Sequence, residues 1–195
     1  MKIKIAIVLA VVVLAIALLT AKLLAFQINE DYRGIVYNTL TGELDKENIL
    51  EPGTITRLPW NKIYTMYVGG NGFDIEFDVL DKDANSLNIL ISCRFAPDPE
   101  EIGHLYYRVG TEYKERILIP ELRSITRQSM GNYSAGDIYN YERKQIEQSI
   151  INQTSELYND YHVILQSLLI RSVDLSPELR RALEEEHEKR MEEET

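Results

Sequence analysis

The sequence predicts an α+β fold. An N-terminal transmembrane helix is followed by a β-rich half, a helical half and a short acidic C-terminal helix. Three observations carry this. Residues 5–19 form an unbroken apolar run. Residues 27–95 alternate apolar and polar positions with the period of two that a half-buried strand imposes. Residues 98–160 then change to the three-and-four spacing of helices. The chain divides accordingly into 1–26 as an anchor, 27–176 as a folded domain and 177–195 as the terminal helix.

The apolar run extends to Phe26, interrupted only by Thr20 and Lys22. At ~1.5 Å per residue, residues 3–26 would span roughly 36 Å, enough to cross a hydrocarbon layer of about 30 Å. Lys22 sits near the end, where its stem can snorkel to the headgroups. Two other readings of the run suit it less well. A cleaved signal peptide fits poorly, because the one good small-x-small site, Ala15-Ile16-Ala17, lies inside the apolar run. A buried core helix has no matching apolar jacket downstream. Lys2 and Lys4 precede the span, and the acidic Glu30-Asp31 follows it. The positive-inside rule then places the N-terminus in the cytoplasm and the body on the extracytoplasmic face.

In the β-rich half, Tyr32–Thr39 is a strand and Thr41-Gly42 a turn. Glu51-Pro52-Gly53-Thr54 is a second turn, and Asn61–Val68 a further strand. After Gly69-Gly70-Asn71-Gly72, Phe73, Ile75, Phe77 and Val79 alternate with Asp74, Glu76 and Asp78. Leu87, Ile89, Ile91, Cys93 and Phe95 repeat the pattern beyond a polar loop. Together they predict an antiparallel hairpin with one buried face.

The helical half opens at Asp98-Pro99-Glu100-Glu101, a helix start signal, and its first helix ends at Gly110. Thr111 is placed to cap the next helix, and Pro120 forces a break near Ile119. Ser134 and Asp137 have capping-box spacing. Behind them Tyr139, Ile146, Ile150, Leu157 and Tyr161 form a stripe, with Arg143, Lys144, Glu147 and Gln148 opposite. Val163–Val173 reads as a strand buried on both faces. Ser176-Pro177-Glu178 starts the last helix, which is charged nearly all round beyond Leu183. Alone such a helix would fray; beside copies of itself it could begin a bundle.

Composition narrows the chemistry. With 21 basic and 31 acidic residues the net charge is −10, and the first 26 residues hold three lysines and no acid. So acidic a body repels phosphate, which argues against a nucleic-acid partner. The single cysteine, Cys93, forms no internal disulfide and builds no cysteine zinc site. Of the three histidines, His104, His162 and His187, no two have the spacing of a zinc hydrolase. Asp74, Glu76 and Asp78 could bind a hard cation, but a solvated outer face or subunit contact suits them better. No cofactor and no catalytic residue are expected. Trp60 could enter the headgroup zone or close the core of the β half. The twelve tyrosines suit helix faces or protein interfaces. Among them Tyr139 and Tyr141, with Glu184 and Glu185 of the acidic helix, are the candidate oligomer-interface residues; Lys22 and Trp60 are the candidate membrane-interface residues.

Several strings occur in a telling order: Glu51-Pro52-Gly53-Thr54 with Leu58-Pro59-Trp60, then Asn88–Pro97, then Tyr113-Lys114-Glu115-Arg116-Ile117-Leu118-Ile119-Pro120, then Tyr133–Arg143. Over roughly residues 26–190 the chain resembles the SPFH (band 7) family, with prohibitins nearer than stomatins or flotillins. It departs in one extra residue before Pro120 and in a terminal helix that stops short of the prohibitins' long coiled coil. The resemblance implies a non-enzymatic scaffold, anchored in a bacterial or mitochondrial inner membrane. Such a scaffold assembles with itself or paralogous SPFH subunits, organises lipids and proteins, and can modulate a membrane AAA protease. The rival expectations are a membrane-tethered extracytoplasmic hydrolase and a monomeric binding module.

Overall fold

The computed structural model describes residues 12–13, 24–141 and 143–193, with side chains other than those of 140–141 and 186–193. The chain divides into two compact units, Met1–Gly69 with Pro97–Arg108, and Gly70–Ala96 with Val109–Thr195.

The first unit holds two small sheets. Strand β1 (Ala25–Ile28) pairs antiparallel with β4 (Gly53–Thr56), placing Ala25 opposite Thr56. Strand β2 (Tyr32–Asn38) lies between β3 (Glu43–Leu44) and β5 (Asn61–Tyr67). The β2–β5 register runs from Tyr32 opposite Tyr67 to Asn38 opposite Asn61. Ile35 and Met66, both buried, share one face of this pair. Helix α1 (Ile102–Arg108) adds the buried Ile102 and Leu105. It passes the 46th residue so closely that a Cβ on Gly103 would stand 2.3 Å from the Lys46 carbonyl oxygen. Only glycine allows that approach.

The second unit is built on one three-stranded sheet in the order β6–β7–β8. Strands β6 (Asn71–Leu80) and β7 (Ser86–Pro97) form the expected hairpin, with Phe73 opposite Cys93 and Val79 opposite Leu87. Leu87, Ile89, Ile91, Cys93 and Phe95 are all buried. A π-helical turn at Lys114–Leu118 runs into α2 (Ile119–Met130), and a second at Asp137–Tyr141 precedes α3 (Arg143–Asp160). Strand β8 (Val163–Leu175) and helix α4 (Pro177–Glu193) complete the chain.

Several expectations are refined. Ala25 and Phe26 belong to β1, because Thr56 and Ile55 offer their backbones to pair with them. The predicted anchor therefore ends no later than Leu24. The rest of it, Lys22 included, lies outside the described residues, apart from the helical Val12 and Val13. Among the described residues no helix is long and apolar enough to cross a membrane. The break at Pro120 is present. It takes the form of the π-turn, in which the Ile119 amide reaches back to the Lys114 carbonyl just before proline enters the first turn of α2. Thr111 is not the cap. Tyr113 precedes that turn without a side-chain capping bond. Asp98 does not start a helix either. Its carboxylate accepts the Glu100 amide at 3.0 Å in a local turn, and α1 begins at Ile102.

Strand β8 is buried on one face only, because α3 covers a single side of it; Ile164 and Leu169 are exposed. The buried stripe of α3 is Ile146, Ile150, Thr154 and Tyr158, a strict i+4 row. Leu157 and Tyr161 lie beside this row rather than on it, and Tyr139 is exposed. Arg143 and Glu147 do not face away from the core. Arg143 Nη2 donates to the Ile170 carbonyl at 2.6 Å, and Glu147 Oε1 accepts the Ile170 amide at 3.0 Å. The helix thus grips one residue of β8 by both of its backbone groups.

Candidate interaction surfaces

The first unit presents an apolar tip. Leu40 is 75% exposed, Leu58 44% and Trp60 41%. Trp60 therefore does not close the core of the β half. Two loops carry these side chains, and backbone bonds join them. The Thr39 amide and hydroxyl both donate to the Trp60 carbonyl, at 2.8 and 2.7 Å. The Asn61 amide donates to the Leu58 carbonyl at 2.9 Å. Beside the tip, Arg57 donates its amide to the Leu24 carbonyl at 2.7 Å.

Tyrosines cover other parts of this unit. Tyr64 stacks on Tyr106 with ring centroids 5.3 Å apart, and Tyr32 meets Tyr67 edge-on at 5.5 Å. Lys46 Nζ lies 4.4 Å above the exposed Tyr107 ring. His104 approaches Glu101 at 3.8 Å, with both side chains partly exposed.

On the second unit's outer sheet face Asp74 and Asp78 have cross-strand partners. Asp74 accepts the Ser92 hydroxyl, which itself accepts from Arg171 Nε, so β6, β7 and β8 are laced together. Asp78 accepts the Asn88 amide group at 3.0 Å. These two carboxylates each accept a side-chain donor from the neighbouring strand.

Among the proposed interface residues, Tyr139, Glu184 and Glu185 are exposed; the Tyr141 side chain lies outside the described residues. The Ser134–Asp137 capping box forms in both directions, with the Ser134 amide donating to Asp137 Oδ2 at 3.2 Å and the Asp137 amide to Ser134 Oγ at 3.3 Å. Within this turn, a Cβ on Gly136 would stand 3.4 Å from Leu183 Cδ2. The turn leading to Tyr139 therefore lies beside the first turns of α4.

Two buried groups depart from what the sequence suggests, Asp81 in a polar loop and Tyr158 among the tyrosines suited to helix faces or interfaces. Asp81, 5% exposed, closes the β6–β7 loop and fixes it to the turn after α2. It accepts the Asp83, Asn85 and Ala135 amides at 2.9, 2.7 and 2.9 Å, and the Asn85 side chain at 2.9 Å. Burial disfavours its charge, but the bonds from Asn85, Ala135 and Asp83 outweigh burial and hold its carboxyl below the ordinary range. The Asp-x-x-x-Asn spacing was the available signal. Tyr158 is fully buried and donates to the Leu118 carbonyl at 2.9 Å, so it is not an interface residue. Burial, with Cys93 and Glu121 nearby, raises its hydroxyl far above the usual tyrosine value. Cys93 is 1% exposed, and burial pushes its thiol up to about 11. A thiol so placed is a core hydrophobe, not a nucleophile.

Two small sheets, then a hairpin crossed by helices, then a strand and a terminal helix: this order defines an SPFH-type domain. The model of the SPFH domain / Band 7 family matches residues 26–195, and the chain belongs to that family. Within it the chain is prohibitin-like. It is 24% identical to Prohibitin-2 of Mus musculus over 160 residues, which is 82% of this chain and 53% of that protein. It is 20% identical to Prohibitin 1 of Drosophila melanogaster over 171 residues, or 84% and 61%. With Prohibitin-1 of Saccharomyces cerevisiae the identity is 21% over 154 residues, or 78% and 53%. The chain spans about half the length of the curated relatives it matches first.

Proposed function

We propose that this protein is a membrane-anchored, prohibitin-like scaffold that assembles laterally and has no catalytic activity of its own. One observation carries the reading: the family match begins at residue 26, where the apolar run of the sequence gives way to β1. Residues up to Leu24 serve as the anchor, with Lys22 snorkelling at its end. At ~1.5 Å per residue, a helix over residues 3–24 is still roughly 33 Å long, enough for a bilayer core. With Ala25 and Phe26 in β1, residues 25–176 are the body, and 177–195 are the helix that meets neighbours. The flanking lysines favour a cytoplasmic N-terminus and a body on the extracytoplasmic face of a bacterial or mitochondrial inner membrane.

The partners are membrane lipids, further copies or paralogous SPFH subunits, and a membrane AAA protease whose access to substrates the scaffold restrains. Tyr139, Tyr141, Glu184 and Glu185 face the neighbouring subunits. The test is carbonate extraction of membranes carrying the full chain, then sizing of the detergent-solubilised protein. It should stay with the membrane and elute as a multi-subunit species. A freely soluble chain, or a monomer at every concentration, would overturn the proposal.

A further inference from the structure

We infer that Arg143 and Glu147 form an edge guard: they close strand β8 at Ile170 against pairing with the same segment of a second copy. The inference needs neither the anchor nor the scaffold reading. Strands β6 and β8 are the two outer strands of the β6–β7–β8 sheet. An outer strand carries unpaired amides and carbonyls, and so templates the addition of another strand. The two outer strands differ in what they offer. Along β6 the exposed Asp74, Glu76 and Asp78 would meet the same carboxylates of a like strand, and they repel it. On β8 the run Val163–Ile170, read Val-Ile-Leu-Gln-Ser-Leu-Leu-Ile, holds no charge, no proline and no glycine. Uncharged, β-prone runs of this length are the ones that stack into cross-β zippers. Ile164 and Leu169 are exposed on it. Charge within the run does not protect this edge, so its protection lies elsewhere.

Helix α3 supplies it. A residue in a strand points its amide and its carbonyl to the same side. At Ile170 both groups are taken by α3, the amide donating to Glu147 Oε1 at 3.0 Å and the carbonyl accepting Arg143 Nη2 at 2.6 Å. That side is therefore the open edge, not the side of β7. Arg143 Nη2 also donates to the Arg171 carbonyl at 3.3 Å. Arg143 and Glu147 stand four apart, so one face of α3 presents a donor and an acceptor where a neighbouring strand would present its own. Ile170 is the last residue of the uncharged run, and Arg171 follows it. A strand laid along the whole run would displace both side chains, exchanging charge-assisted bonds for weaker neutral ones. The order of the pair matters as well. With the two residues exchanged, a cation would face the amide and a carboxylate the carbonyl.

The test compares the full chain in detergent with the exchanged variant Arg143→Glu/Glu147→Arg, which keeps composition and net charge. The readings are far-UV circular dichroism, amide exchange at Ile170 and thioflavin fluorescence. The variant should keep its helical spectrum, exchange the Ile170 amide at least about tenfold faster and develop a thioflavin signal that the unaltered chain lacks. Adding Leu169→Lys puts a charge into the run at an exposed position and should abolish that signal. Glu147→Ala, which frees the amide alone, should speed exchange and give a weaker signal; if the exchanged variant unfolds, this variant decides by the same readings. A folded variant with unchanged exchange, or with no thioflavin signal, overturns the guard. A signal that survives Leu169→Lys overturns it too, since the pairing then lies outside the run. If both variants lose helical structure, the pair holds the fold rather than the edge, and the inference fails. Assembly through α4 or Tyr139 builds no cross-β structure and gives no thioflavin signal, so none of these outcomes decides the scaffold reading.

Discussion

The two units use apolar side chains differently. In the second, β6 and β7 turn Phe77, Val79, Leu87, Ile89, Ile91 and Phe95 inward, and α2 and α3 close over them with Leu122, Ile146, Ile150 and Tyr158. In the first, buried apolar residues are sparse, chiefly Ile28, Ile35, Met66, Ile102 and Leu105, while Leu40, Leu58, Trp60, Tyr64, Tyr67 and Tyr107 stay exposed. Burial of apolar area is the main favourable term in folding. The second unit is thus the stability reserve, and the first leaves surface available for contacts. A substitution in the second unit's core should therefore unfold the protein, whereas one on the first unit's surface should only alter what the protein touches.

The largest effect should come from Ile150→Asp. Ile150 is 0% exposed in the α3 row. A carboxylate there has no partner and should cost roughly 4 kcal/mol or more, enough to unfold the helical half. Loss of helical circular dichroism and of protease resistance in Val109–Thr195 would show it. A folded variant of near-native stability would end the contrast between the units.

In the first unit the sensitive point is a glycine. Gly103→Ala places a methyl 2.3 Å from the Lys46 carbonyl oxygen and 2.7 Å from its Cα, both of them backbone atoms that cannot swing aside. The expected cost is about 1–3 kcal/mol, as for overpacking elsewhere. Amide exchange in α1, β2 and β5 should speed up. Unchanged exchange would show that the helix can shift freely and that this unit is looser than its close approach implies.

Asp81 adds a pH dependence to the second unit. Its folded pKa is lowered, so its stabilising contribution is present above the unfolded value and is lost as pH falls through the folded one. Stability should decline below about pH 4, where unfolded aspartate protonates. Asp81→Asn should remove that part of the slope and cost about 1–3 kcal/mol at neutral pH, because an amide cannot accept from all four of its donors. A denaturation series at several pH values separates the two effects. Tyr158→Phe is gentler. It deletes one hydroxyl donor to the Leu118 carbonyl and should cost about 1 kcal/mol in the same titration.

The sequence made the hairpin legible because Phe73–Val79 and Leu87–Phe95 alternate strictly, and a period of two has a single physical reading in a half-buried pair. The Ser134–Asp137 box was legible for a local reason, since its bonds lie within four residues. Trp60 stands out by residue type and by its place in the Leu58-Pro59-Trp60 string. What escaped depended on distant partners. Nothing near Gly103 says that Lys46 passes there, and nothing near Arg143 says that it will clasp Ile170. The α3 stripe holds at Ile146 and Ile150 and slips by one position beyond them, because Leu157 is more apolar than Tyr158. Yet the tyrosine ring fills the core, and its hydroxyl finds the Leu118 carbonyl. Leu40 lies in what reads as a turn, and only the bonds of its neighbour Thr39 to the Trp60 carbonyl bring it beside the other loop.

The smallest effect on folding should come from Glu184→Ala/Glu185→Ala, and it tests the other side of the comparison. Both side chains are exposed on α4. Alanine has the higher helix propensity, by at most a few tenths of a kcal/mol per residue. Removing carboxylates from an acidic helix also relieves repulsion between its neighbouring glutamates. The melting midpoint should therefore stay level or rise slightly, a net change within about 0.5 kcal/mol. If these residues face a neighbouring subunit, the solubilised assembly should lose or redistribute its high-mass species while the folded chain is unaffected. An unfolded variant would mean that α4 is part of the second unit's core. An intact fold with an unchanged assembly profile would move the subunit contact elsewhere, to the exposed Ile164 and Leu169 of β8 or to Tyr139.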